Sequence, residues 1–168
     1  PDEKLEEFFQ LYSSAVKDGS ADLCLTEMNR ELTPIKIDLD FRYTADTLDR
    51  RYTIDHICTF VSSYLVEIER WVNFDVVTDL DYLQQMKYAF VMEKTAPSWK
   101  NQEGGEAKDG IHIMFPFVVL EPAIQHKIRE NVYKGVKEAF HDMQLTNSPA
   151  DIVDRQVIEH NAWLMYGS

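Results

Sequence analysis

The chain has 168 residues, a length that fits one domain with a substantial hydrophobic core. Hydrophobic residues make up 45% of the sequence, which excludes a disordered chain, and no apolar run reaches the roughly 20 residues of a membrane-spanning helix. The formal net charge of −12 argues against a nucleic-acid-binding module without excluding one, because a metal-dependent site is itself acidic.

The two cysteines, Cys24 and Cys58, are isolated, and neither has a second cysteine at a metal-binding spacing. We therefore expect two free, buried thiols in a reducing, intracellular compartment, and no zinc site in this chain. The sequence has neither an initiator methionine nor a signal segment. From this we expect a domain excised from a longer protein.

The first half of the chain alternates between helical and extended patterns. Apolar residues at helical spacing predict an amphipathic helix over residues 3–17, and residues 23–26 form a short candidate strand. Strict alternation of apolar and polar side chains over residues 34–43 predicts a half-buried strand. A polar loop over residues 44–53 then leads to a long, regularly phased helix over residues 54–72.

The second half continues the same mixture. A strand is expected at residues 88–92, a flexible loop rich in glycine and charge at 95–109, and an alternating strand at 111–117. A helix then runs over residues 121–140, with proline in its first turn. This order of elements predicts an α+β fold, a mostly antiparallel sheet flanked by helices, and we treat residues 1–168 as a single domain.

Two carboxylates lie on the polar side of the first alternating strand. Asp38 and Asp40 are two residues apart, so they project from one face at roughly 7 Å along the chain. Like charges at this separation repel unless a cation lies between them, and hard divalent ions such as Mg²⁺ prefer carboxylate oxygens. Lys36 and Arg42 flank the pair on the same face, where they could contact phosphates or screen the acids.

A second group of polar residues surrounds the later alternating strand. His112 is out of phase with Ile111 and Ile113, so it points to the opposite face. Gly110 has no side chain, which lets a ligand approach the backbone closely. Lys108 is either a phosphate contact from the preceding loop or a solvated surface lysine. By itself a histidine on a strand is more often structural than catalytic.

Asp154 is the third acidic candidate, and it has apolar neighbours on both sides in the sequence. Taken alone, this position favours a helix cap or a surface acid. Its significance depends on the two earlier motifs, because a metal site needs several oxygen ligands.

Together the three motifs are more specific than any one of them. An Asp-hydrophobic-Asp strand, a small-residue-x-His strand start and a later hydrophobic-Asp pair closely resemble the signature motifs of the archaeo-eukaryotic primase superfamily. The phrases KDGIHIMFPF and NAWLMYGS resemble the primase domain of the helicase–primases of poxviruses and other nucleocytoplasmic large DNA viruses. The resemblance covers residues 34–168 and implies that superfamily's catalytic core, with an RRM-like unit, and a fused helicase domain absent from this chain.

The resemblance implies roles for the candidate residues. The carboxylates of Asp38, Asp40 and Asp154 match those that hold two catalytic Mg²⁺ or Mn²⁺ ions. His112 matches the histidine that contacts the triphosphate of the incoming nucleotide, and we also assign nucleotide binding to three neighbours: Gly110, Lys108 and Arg42. The implied reaction is template-dependent nucleotidyl transfer from nucleoside triphosphates on single-stranded DNA, by a DNA primase or primase–polymerase that makes primers for viral DNA replication.

Two other functions remain open on the sequence. The first is a different two-metal phosphotransfer enzyme, such as a nuclease or a cyclase-like domain, which can share the Asp-x-Asp strand but does not require the histidine phrase. The second is a template-binding scaffold that keeps the fold without activity. If the viral assignment holds, we expect the protein in a replication factory of the host cytoplasm, without a membrane partner.

Overall fold

A computed structural model describes residues 2–19, 23–101, 105–165 and 167. The fold is α+β, as predicted, with every strand pairing antiparallel. The helices are α1 (Asp2–Lys17), α2 (Ile54–Trp71), α3 (Leu80–Gln85), α4 (Pro122–Val132), α5 (Val136–Ala139), α6 (Pro149–Ile152) and α7 (Gln156–Glu159). The strands are β1 (Thr26–Glu27), β2 (Thr33–Ala45), β3 (Phe90–Glu93), β4 (Ser98–Trp99), β5 (Gly105–Leu120), β6 (Val153–Asp154) and β7 (Trp163–Leu164).

By its internal contacts the chain divides into two compact units, and the single domain over residues 1–168 stays a prediction. The smaller unit comprises residues 1–28 and 161–168 and contains α1 and the pairing of β1 with β7. The larger unit, residues 29–160, contains the remaining sheet and the other helices. All of the candidate site residues fall in the larger unit.

The larger unit is built on an antiparallel sheet with the strand order β3-β5-β2-β6, and β4 pairs with the early part of β5. Strands β2 and β5 pair along their length, from Thr33 opposite Leu120 to Ala45 opposite Gly105. Alternating β-branched and aromatic side chains favour such long strands because they pack well on a pleated surface. This long pairing makes β2 and β5 the frame of the sheet.

One face of this sheet forms the hydrophobic core. The core-facing side chains of β2, none more than 2% exposed, are Ile35, Ile37, Leu39, Phe41 and Tyr43. Helices α2 and α4 contribute to the same core through Ile57, Phe60, Tyr64, Ile68, Ile128 and Val132. Because side chains alternate along a strand, the even-numbered residues of β2 lie on the opposite face.

The prediction of a flexible loop at residues 95–109 is wrong for most of the described residues in that range. Ser98 pairs with Lys108 and Trp99 pairs with Ala107, so β4 and the start of β5 form a ladder there. Residues 102–104 lie outside the described residues. The prediction failed because the local residues are polar, whereas the strand is held by pairing with β2 on its other side.

Smaller differences concern helices and thiols. The helix predicted over 121–140 is interrupted by a 3-10 turn at Tyr133–Gly135, and α3 was not predicted. Cys24 and Cys58 are free, as expected, but both are exposed instead of buried. Cys58 lies on the outer side of α2, and Cys24 lies in the segment before β1. Over the described residues, every helix is too short or too polar to cross a membrane.

Candidate active site

The polar face of the sheet collects the residues singled out in the sequence. The register places His112 and Asp154 directly opposite Asp38, one on each side of β2. In the next two rows Gly110 lies opposite Asp40 and Lys108 lies opposite Arg42. Directly paired residues share a face, so one sheet surface carries the whole predicted set: Asp38, Asp40, Asp154, His112, Gly110, Lys108 and Arg42. We call this surface the acidic face.

Asp38 lies at the centre of the acidic face, and its carboxyl group is mostly buried, with 22% of the side chain exposed. Burial raises the pKa of Asp38 to about 7, and repulsion from Asp40 and Asp154 adds to the effect. Lys108 and Lys94 act in the opposite direction but do not cancel it. Burial and the two neighbouring carboxylates therefore disfavour the ionised form of Asp38 in the free protein.

Each carboxylate of the acidic face contacts a different polar group. His112 Nε2 lies 3.5 Å from Asp38 Oδ1, and Lys108 Nζ lies 3.1 Å from Asp40 Oδ1. Asp154 Oδ1 accepts a hydrogen bond of 2.9 Å from the backbone N–H of Gln156. The sheet thus fixes where the three carboxyl groups originate, while their side chains are directed towards separate partners.

The three carboxylates are the right kind of ligand for a divalent cation, but their present side-chain orientations do not form a metal site. Across residues 2–19, 23–101, 105–165 and 167, no group of three or more His, Cys, Asp or Glu side chains is arranged to bind a metal ion. Carboxylate oxygens are nevertheless the ligands that Mg²⁺ and Mn²⁺ prefer. Asp40 and Asp154 lie close enough to Asp38 for repulsion between the carboxylates to raise the pKa of Asp38.

His112 is the neutral partner in this group. Partial burial and the nearby Lys94 lower the pKa of its imidazole, although Asp40 acts in the opposite direction. The side chain is still 46% exposed, so a ligand on the acidic face can reach it. At neutral pH its ring contributes a hydrogen bond and no permanent charge.

Gly110 allows β5 to approach β2 beside Asp40. A Cβ atom at this position would lie 2.8 Å from the Leu39 carbonyl oxygen, closer than real Cβ contacts, and 3.7 Å from Asp40 Oδ1. The missing side chain is therefore required by the strand pairing itself. Close approach of a ligand to this glycine stays a prediction.

The two flanking basic residues differ in their surroundings. Lys36 is buried and donates a hydrogen bond of 3.0 Å from Nζ to Asn29 Oδ1, which favours a structural role over phosphate contact. Arg42 instead lines a groove of about 550 Å³ beside Asp40 and Asp154. Its Nε is buried and has no hydrogen-bond partner within the part of the chain that the structure describes, so this donor is unused there.

Sequence reasoning missed a buried ion pair behind the acidic face. Asp109 is fully buried on the core side of β5, where Arg50 Nε lies 3.1 Å from its Oδ2. Asp109 Oδ1 also accepts a hydrogen bond of 2.9 Å from the Gly110 N–H. The phase of Asp109 with Ile111 was the available signal, because a carboxylate on an apolar strand face needs a partner.

Comparisons with known proteins agree with the motifs. The family model of the "C962R protein N-terminal AEP domain" matches residues 1–168. A protein of Acanthamoeba polyphaga mimivirus named "Putative helicase L207/L206" is 33% identical over 170 residues. That match covers 100% of this chain and 16% of the mimivirus protein, so the chain spans a small part of the relative's length.

Proposed function

Because the chain belongs to the family of the C962R protein N-terminal AEP domain, a primase-type family, we propose that its acidic face catalyses template-dependent nucleotidyl transfer. The observation that carries this proposal is the register of β2, β5 and β6, which gathers Asp38, Asp40 and Asp154 on one surface with His112 beside them. The substrates are nucleoside triphosphates, and the template is single-stranded DNA.

The carboxylates supply the charge that this chemistry needs. Asp38, Asp40 and Asp154 would hold two Mg²⁺ or Mn²⁺ ions, which when bound activate the attacking 3′-hydroxyl and stabilise the leaving pyrophosphate. Asp38 has the raised pKa, so it releases its proton when a cation takes the place of that proton. Metal affinity should therefore fall steeply as the pH drops below about 7.

The remaining polar residues orient the nucleotide. His112 is neutral and exposed, and its Nε2–H donates to a triphosphate oxygen when the proton is on that nitrogen. Lys108, whose Nζ lies 3.1 Å from Asp40 Oδ1, would supply an ammonium group beside the carboxylates for contact with the phosphates. Arg42 lines the groove beside Asp40 and Asp154, so its guanidinium is near enough to contact a phosphate there.

The wider setting follows from the relative. The mimivirus protein is named a helicase, and the match occupies 16% of it. We therefore place this domain in a longer viral helicase–primase that makes primers for DNA replication. A replication factory in the host cytoplasm is the corresponding location.

The direct test is an incorporation assay with single-stranded DNA, labelled nucleotides and Mg²⁺ or Mn²⁺. The double variant Asp38→Ala with Asp40→Ala should lose at least about a hundredfold in rate, because its metal ligands are gone. Asp46→Ala is the matched control, since this exposed acid lies just beyond β2 and should leave the rate unchanged.

Two results would redirect the assignment. Degradation of the labelled DNA, lost in the same double variant, would make the protein a nuclease. An absence of both incorporation and metal-dependent nucleotide binding in calorimetry would make it a template-binding scaffold.

A further inference from the structure

The backbone of β2 is supported unequally on its two sides. On one side β5 pairs with it from Thr33 to Ala45. On the other side β6 pairs only with Asp38 and Leu39 and then ends. The polar backbone groups of Asp40 and Arg42 on that side are therefore beyond the reach of β6.

The side chain of Asn147 takes the place of the missing strand. Its Nδ2 donates a hydrogen bond of 2.8 Å to the carbonyl oxygen of Asp40, and its Oδ1 accepts one of 3.2 Å from the N–H of Arg42. Thr146 continues the pattern, because its N–H donates to the Arg42 carbonyl oxygen at 2.8 Å. Asn147 is itself buried, with 8% of its surface exposed.

The segment that carries Asn147 is also anchored at its other end. Arg129 donates from Nε to the carbonyl oxygen of Val153 at 2.8 Å, and from a terminal nitrogen to the carbonyl oxygen of Ala150 at 2.8 Å. Val153 immediately precedes Asp154. Residues 146–154 therefore connect the backbone of Asp40 to that of Asp154 through a braced segment.

We propose that Asn147 is a positioning residue for the acidic face, acting as a one-residue substitute strand that sets the direction of Asp40 and Arg42. The inference rests on the proposed function, because its consequence is measured at the metal and nucleotide site. Without the amide, the Asp40 carbonyl and the Arg42 N–H lose their protein partners. Strand backbone then moves towards water, and small displacements at an active site are costly.

Gln125 provides a matched comparison. It is a buried amide whose Nε2 donates to the carbonyl oxygen of Thr33 at 2.9 Å, at the opposite end of the same strand. Removing either amide side chain destabilises β2 in the same way, because a backbone carbonyl of the strand loses its hydrogen bond. Only Asn147 lies next to the carboxylates, so a positioning role separates the two variants and a purely structural role does not.

The experiment compares Asn147→Ala with Gln125→Ala in the whole chain. Mn²⁺ affinity is measured by electron paramagnetic resonance, amide hydrogen exchange by NMR, and nucleotide incorporation as separate kcat and KM. We expect Asn147→Ala to weaken Mn²⁺ binding about tenfold or more, to accelerate exchange of the Arg42 amide and to lower kcat. Gln125→Ala should lower thermal stability with Mn²⁺ affinity and kcat unchanged. If the alanine variant does not fold, Asn147→Ser provides the same comparison.

The outcomes separate the two proposals. Unchanged Mn²⁺ affinity and kcat in Asn147→Ala, beside a metal-binding wild type, overturn the positioning role and leave the proposed function intact. Equal losses in Gln125→Ala also overturn it, because the effect is then general instability. A wild type that binds no Mn²⁺ and incorporates no nucleotide overturns both.

Discussion

The two faces of the larger sheet are made by the same strands and have opposite physical properties. On β2 the odd-numbered side chains from Ile35 to Ala45 are buried and apolar, while Asp38 and Asp40 lie on the other face among charged neighbours. The core face is satisfied by packing. The acidic face is not satisfied, because burial and mutual repulsion raise the pKa of Asp38 to about 7.

This contrast separates stability from function within a single strand. Period-two alternation lets one sequence segment supply both faces, so a substitution at one position affects mainly one of them. Ionisation of Asp38 on the acidic face destabilises the free protein, because burial and the neighbouring carboxylates oppose it. Substitutions on the two faces should therefore change different properties of the protein.

The largest effect is expected on the core face. Phe41 is fully buried, with ring centroids 4.9 Å from Phe140 and 5.4 Å from Tyr52. Phe41→Ala should lower the free energy of unfolding by about 3–5 kcal/mol in chemical denaturation, because it leaves a cavity among these rings. Thr44→Ala, exposed on the other face of the strand, should change it by less than about 0.5 kcal/mol. Equal losses of unfolding free energy in the two variants would contradict the view that the core face contributes most of the stability.

The next effect concerns the contact between the two long strands. Gly110→Ala places a Cβ 2.8 Å from the Leu39 carbonyl oxygen, so it should cost about 2–3 kcal/mol of unfolding free energy. Gly135→Ala is the matched control, because a Cβ there would have no described atom within 4 Å. A Gly110 variant as stable as its control in thermal denaturation would show that β5 does not approach β2 this closely.

A third substitution should stabilise the protein. The pKa of Asp38 in the folded state is raised from 3.8 to about 7, so ionisation of this carboxyl destabilises the metal-free protein as the pH rises between these values. Asp38→Asn removes that cost and should raise the unfolding free energy by about 1–2 kcal/mol at pH 8, with the advantage fading towards pH 4.

Added Mn²⁺ gives the control for Asp38→Asn. The ion should raise the melting temperature of the wild type and leave that of the variant unchanged, since only the wild type retains the central ligand. If the variant is less stable than the wild type at pH 8 without metal, ionised Asp38 does not destabilise the free protein, which would contradict this view of the acidic face.

The smallest effect on stability is expected at His112, whose side chain is nearly half exposed. His112→Ala should change the unfolding free energy by less than about 0.5 kcal/mol while raising the apparent nucleotide KM several-fold. His141→Ala, another exposed histidine, should leave KM unchanged. Early melting with unaltered nucleotide affinity would assign His112 to the structural framework.

The sequence was sufficient to predict what depends on local periodicity. Strand β2 and helix α2 follow their alternating and helical patterns, and the antiparallel α+β fold is confirmed. The family is confirmed as well, because the model of the C962R protein N-terminal AEP domain matches residues 1–168. The roles of Asp38 and Asp154 in metal binding stay predictions.

The sequence was insufficient where a residue depends on a distant partner. Asn147 bonds to the backbone of Asp40, 107 residues earlier, and no local pattern marks such a contact. The start of β5 was predicted as a loop because its charged residues conceal the pairing with β2, and Asp109 there is buried only because Arg50 reaches it. These features depend on tertiary pairing, which periodicity does not report.

The measurement that bears most directly on the central claim is a crystal structure with Mn²⁺ and a nucleoside triphosphate. We predict anomalous density at roughly 2.0–2.6 Å from oxygens of Asp38, Asp40 and Asp154, with Asp40 turned away from Lys108 and the triphosphate beside His112. Manganese bound elsewhere, or a nucleotide held with no metal near Asp38, would contradict the assignment of the acidic face as the site of nucleotidyl transfer.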